Sequence, residues 1–80
     1  PVQLQGILER ETERVLGEAL AELPERERTT LLLHYQEGLS YEAIAPMVGS
    51  PVGTVRSWAF HALRRLRARL HPLHRESDHE

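Results

Sequence analysis

Residues 38–67 read GLSYEAIAPMVGSPVGTVRSWAFHALRRLR, and this stretch decides the fold. It is punctuated twice in the same way. Ser40 is placed to cap a short helix with Tyr41, Ile44, Ala45 and Val48 on its inward side, and Gly49 ends it. Ser50-Pro51 then repeats the start signal, a cap followed by proline at the first helical position, where a missing N–H costs nothing. From there Val52, Val55, Ala59, Ala62, Leu66 and Leu70 fall on one stripe when residues are stepped at about 100°. Thr54, Ser57, His61 and Arg64 project from the opposite side, flanked by Arg56 and Arg65. A short helix, a tight turn and a longer helix make a helix-turn-helix. The second helix begins small and polar and continues basic, as entry into a DNA major groove requires. Gly53 lets the backbone approach, while Thr54, Arg56 and Ser57 can reach base edges and phosphates. Ser40, beside the free N–H groups of the preceding helix, suits a phosphate.

Two more helices precede this pair. Leu8, Val15, Leu16, Ala19, Leu20 and Leu23 share one helical face opposite the charges of ERETER, which predicts a helix over roughly 5–22. Pro24 ends it and can open a second helix, whose start suits Glu25 and Glu27. Leu31, Leu32 and Tyr35 form the expected buried stripe of that helix, and Gly38 its C-terminal cap. Alternation with a period of two is nearly absent, so strands are not expected. The expected fold class is all-α: a four-helix domain over 1–70, without a wing, containing a helix-turn-helix at about 40–70. Pro72 should stop the last helix near Leu70 and leave 71–80 as a flexible tail.

Eighty residues suit one domain with a small core. With no cysteine, neither a disulfide framework nor a thiolate metal site is available. No apolar run approaches the ~20 residues of a membrane span, and PVQLQGILER lacks a basic segment followed by an apolar one, so a soluble, cytoplasmic protein is expected. The formal net charge of −2 conceals an asymmetry. Residues 1–50 hold nine acids against four arginines, whereas 51–75 hold six arginines and no acid. No lysine occurs, which favours bidentate contacts to phosphate, guanine or carboxylate, although a GC-rich coding sequence would leave the same bias.

The run from Leu23 to Arg67 resembles region 4 of bacterial RNA polymerase sigma factors, in particular the extracytoplasmic-function class. LPERER, EGLSYEAIA, PVGTVRS and ALRRLR occur in the family's order and spacing, over more than half the chain. The resemblance implies a promoter-recognition domain for transcription initiation. It would read the −35 element of double-stranded DNA with its last helix and dock on the flap of the RNA polymerase β subunit, with an anti-sigma factor as a further partner. Carried over by position, DNA contacts would fall on Pro51, Gly53, Thr54, Arg56, Ser57, Trp58 and His61, with Ser40 and Arg64 at the flanks. The chain has no room for a promoter-melting region, so an excised domain or a stand-alone derivative is expected.

Two departures from the family pattern matter. After PVGTVRS the chain has Trp58, Ala59, Phe60 and His61 where an arginine is usual next, so one groove arginine is missing. Three readings of the aromatic pair stay open. Trp58 can tuck over Ala59 against the third helix while Phe60 packs under the chain ends; an aromatic face can meet a thymine methyl; or Trp58, Phe60 and Arg65 can anchor a protein interface. Pro46 deletes a hydrogen bond inside the third helix, which should therefore be short or kinked. His71, His74, Glu76, Asp78 and His79 invite a metal-site reading, but they follow Pro72 on a chain end, and no metal or other cofactor is expected. His34 reads as a helix-surface residue. No nucleophile is paired with a base and no glycine loop cradles phosphate, so an enzyme is not expected. The alternatives are a response-regulator-type output domain and a protein-interaction module of the same fold with little DNA affinity. Phe60 exposed beside a continuous apolar patch would favour the module.

Overall fold

The computed structural model describes the backbone of residues 2–78 and the side chains of residues 4–70. Four α-helices follow in order: α1 (Val2–Ala21), α2 (Glu25–Leu31), α3 (Tyr41–Val48) and α4 (Val52–Asp78), with a π-helical turn over Leu32–Gln36 continuing α2. No strand occurs among the described residues. The helix starts lie one residue later than the prolines suggest. Pro24 is the N-cap of α2, its carbonyl accepting from the N–H groups of Glu27 and Arg28 at 3.0 Å each. Likewise the Pro51 carbonyl accepts from Val55 N–H at 3.1 Å just ahead of α4. Each proline spends its fixed φ on entering the helix and its carbonyl on the first helical bond.

α4 is the spine, with α1, α2 and α3 all packed against it. Its buried residues, Val55, Ala59 and Ala62, are the centre of the expected stripe, and Val52, Leu63, Leu66 and Leu70 are half-buried beside them. Small residues at 59 and 62 let the other helices approach closely. Leu23, Leu31 and Ala62 form a core cluster with Leu20, Leu63 and Leu66 around it. Thr30, fully buried, returns its hydroxyl to the Arg26 carbonyl at 2.8 Å, and Arg28 reaches the Leu23 carbonyl at 3.0 Å. Ion pairs tie the packing together, among them Arg65 to buried Glu27 at 2.9 Å, and Arg69 to Glu22 at 2.9 Å and Glu18 at 3.7 Å.

Several expectations need correction. Only the C-terminal part of the α1 stripe is covered: Ala19 and Leu23 are buried, while Leu8 and Leu16 are exposed. Periodicity marks which face is apolar, and the placement of the packed neighbour decides how much of it is buried. Leu32 and Tyr35, expected inside, are exposed as well. A π turn over Leu32–Gln36 interrupts the α-helical repeat just after Leu31, so the buried stripe does not continue at the α-helical step. α4 also runs through position 72 to Asp78, past the stop expected at Leu70. A proline removes one bond of the ladder, and a helix already long can continue beyond that local loss. The side chains of His71, His74, Glu76, Asp78 and His79 lie outside the described residues.

Candidate nucleic-acid interface

The joint between α3 and α4 is set by local chemistry. Ser40 is extended (φ −71°, ψ 159°), and its Oγ accepts from Ala43 N–H at 3.0 Å, so α3 has a side-chain cap. Pro46 stands exposed inside α3, which is eight residues long, short as expected. Gly49 adopts φ +69°, a left-handed turn that glycine enters without a Cβ clash, and Ser50 N–H returns to the Ala45 carbonyl at 3.1 Å. Ile44 on α3 and Val55 on α4 are completely buried, which fixes the two helices against each other. α4 therefore leaves the turn in one direction, with one face outward.

That face carries Gly53, Ser57, His61 and Arg64, all exposed, with Thr54 half-buried at its edge. Pro51 and Ser40 are exposed at the starts of α4 and α3, on the same joint. A Cβ built on Gly53 would meet nothing within 4 Å, so the fold alone does not demand glycine there. Arg64 makes no ion pair with another described side chain. Arg56 is held by Glu42 of α3, its Nη2 donating to the carboxylate. The sequence-predicted residues thus gather on one side of the joint, with Trp58 and Arg65 set apart from them.

Trp58 is half-buried and lines a shallow groove with Glu25, Arg26, Thr29 and Val48, between the start of α2 and the end of α3. Phe60 is 60% exposed, with the edge of the His61 ring at 5.5 Å, so it is not buried under another segment. At 340° of turn from Gly53's position by the about 100° step, it lies nearer the outward face than the core. One turn away along α4 it has Arg56, Ser57, Arg64 and the half-buried Leu63, so its exposed neighbours on this helix are polar. Arg65 is engaged with Glu27.

Three residues with a part in this arrangement are not legible from spacing. Glu42 and Glu27 find their arginines across 14 and 38 residues, separations with no helical repeat to reveal them. His34, expected on the surface, is half-buried. Its Nδ1–H donates to the Leu39 carbonyl at 2.7 Å, its ring stacks on Tyr41 at 4.1 Å, and Tyr35 meets it edge-on at 4.6 Å. The imidazole sews the π turn to the start of α3, beside Ser40. Burial, and Tyr35 alongside, push the Tyr41 hydroxyl up, against a smaller downward pull from Arg56.

Residues 13–66 match the family described as Sigma-70, region 4. The RNA polymerase sigma-H factor of Pseudomonas aeruginosa is 44% identical over 73 residues, which is 91% of this chain and 38% of that protein. The ECF RNA polymerase sigma-E factor of Haemophilus influenzae is 42% identical over 67 residues, 84% of this chain and 35% of that protein. The RNA polymerase sigma factor FliA of Pseudomonas aeruginosa is 37% identical over 67 residues, covering 84% of this chain and 27% of that protein. The chain thus spans between 27% and 38% of the length of these relatives. With the family match over well more than half its length, and with a capped α3, a glycine turn and an outward-facing α4, the chain belongs to the sigma-70 region 4 family.

Proposed function

We propose that this domain recognises promoter DNA for RNA polymerase, reading the −35 element with the outward face at the start of α4. The observation that carries the reading is that face itself: Gly53, Ser57, His61 and Arg64 stand clear of the core on a helix whose exit angle the α3 joint fixes. Pro51, Gly53, Thr54, Arg56, Ser57 and His61 approach bases and sugar-phosphate, while Ser40 and Arg64 hold flanking phosphates. Phe60, exposed among polar neighbours, adds an aromatic surface for a thymine methyl. The polar character of its exposed neighbours on α4, Arg56, Ser57 and Arg64, speaks for DNA over a protein-only module. The reading places the domain in the cytoplasm with the polymerase, and docking on the β flap holds it near the promoter. That tether raises the effective concentration, so modest DNA affinity suffices. The domain performs no catalysis in this reading.

One observation favours a protein contact in addition. Trp58 lines an open groove away from the DNA-facing side, and with Arg65 nearby on α4 it offers an anchor for polymerase or an anti-sigma regulator. Binding of the chain to a randomised duplex library, at several salt concentrations, tests the main reading. One enriched sequence class, a log–log salt slope of about −0.9 per phosphate contact, and loss of the preference in Arg56→Ala are expected. Uniformly weak binding with no enriched class would overturn it.

A further inference from the structure

From Gly38 to Arg75 the chain contains a single carboxylate, Glu42. It stands on the side of α3 that meets α4, and it holds Arg56 Nη2 although both side chains are more than half exposed, at 64% and 51%. A negative charge on a surface meant for phosphates weakens binding to every duplex alike. Its presence beside the arginine that leads the basic helix calls for a reason.

We propose that Glu42 is a positioning residue for sequence readout, turning Arg56 from a general phosphate binder into a directional reader of one base pair. The proposal rests on the DNA reading above. A free arginine on a surface samples many rotamers, and its net charge is attracted to any phosphate. Paired with Glu42, the guanidinium is held at Nη2 and the pair carries no net charge. Only Nη2 is engaged, so the remaining N–H donors stay available to a base edge. A fixed fork loses less freedom when it meets the right acceptors, and a neutral pair gains little from the wrong ones. Both effects raise the ratio of specific to non-specific affinity.

A simpler role is open to this residue. Glu42 lies in the first turn of α3, where an acid suits the positive end of the helix. That role acts on stability and leaves base selectivity alone, so the two separate experimentally. The experiment compares the full chain with Glu42→Gln and Arg56→Ala in binding to the randomised duplex library and to a non-cognate duplex, with thermal melts of each. For Glu42→Gln the expected results are several-fold tighter non-cognate binding, a salt slope steeper by up to about 0.9, and about a tenfold loss of discrimination at one base pair. Arg56→Ala loses discrimination at that same base pair. An unchanged specificity ratio with only a lower melting temperature overturns the proposal in favour of the helix-start role. A switch of the preferred base in Glu42→Gln overturns it too, because Glu42 would then read the base itself. If the wild-type chain shows no sequence preference, the DNA reading falls and this proposal with it; in every other outcome the wild type is selective.

Discussion

The ion pair between Glu27 and Arg65 ties α2 to α4, and its two ends differ sharply in exposure: the glutamate side chain is 3% accessible, the arginine 59%. Arg65→Ala leaves a carboxylate inside the protein with no arginine to meet it. At about 4 Å the gross attraction of such a pair is roughly 1 kcal/mol in water and 4 kcal/mol in a medium of effective dielectric constant 20. With one end buried and the other wet, the loss should fall between these limits, at about 2 kcal/mol. That is below the roughly 3–5 kcal/mol for breaking a fully buried pair. For a domain of this size the change corresponds to about 10 °C in melting temperature. Replacing both residues together, as Glu27→Leu with Arg65→Ala, should cost less than Arg65→Ala alone, because the desolvated charge disappears with its partner. Urea unfolding of wild type, both single variants and the double variant gives the coupling directly. A loss under about 0.5 kcal/mol in Arg65→Ala, or a double variant whose loss is the sum of the singles, would refute the reasoning.

Three further outcomes follow from named contacts. Gly53→Ala should stabilise the domain by about 0.5 kcal/mol, since the added Cβ meets nothing and alanine favours the helix, yet weaken binding to the selected duplex roughly tenfold by keeping the backbone away; melts and titrations on the same sample read the opposite signs. His34→Phe should keep the stack on Tyr41 and lose only the bond to Leu39, at about 1 kcal/mol, whereas His34→Ala loses both and falls further in urea unfolding. The Tyr41 hydroxyl is held above its ordinary value of 10.0 in the folded chain, so its stabilising contribution is fully present below pH 10.0 and is lost as pH rises through the folded value. Melts taken from pH 8 upward should decline in the alkaline range, and less so in Tyr41→Phe.

Local chemistry made the helix-turn-helix legible. Gly38 and Gly49 both adopt positive φ, Ser40 caps α3, and Val55, Ala59 and Ala62 line the core as the period of α4 requires. These features depend on residues a few positions apart, which a sequence displays directly. What stayed hidden depends on neighbours distant along the chain. Leu8 and Leu16 belong to an apolar stripe whose burial depends on which helices pack against it, and the repeat that should have buried Tyr35 is broken by a π turn that composition does not announce. The partner of Glu42 lies 14 residues away on another helix, so the pair that shapes the candidate interface had no spacing to betray it. Its one visible trace was the lack of any other acid between Gly38 and Arg75. Whether Phe60 is exposed stayed open in the sequence, and the groove that receives Trp58 needed α2 and α3 in position.

The central claim is that the outward face at the start of α4 reads promoter DNA. Amide chemical shifts of the isotope-labelled chain, followed during titration with the duplex that the library selects, test it most directly. The account predicts shifts concentrated around Ser40 and from Val52 to Arg64, with the amides of Leu4 to Val15 unmoved. Shifts centred on α1 or on the Glu25–Thr29 side of the Trp58 groove, or no saturable change at all, would contradict it.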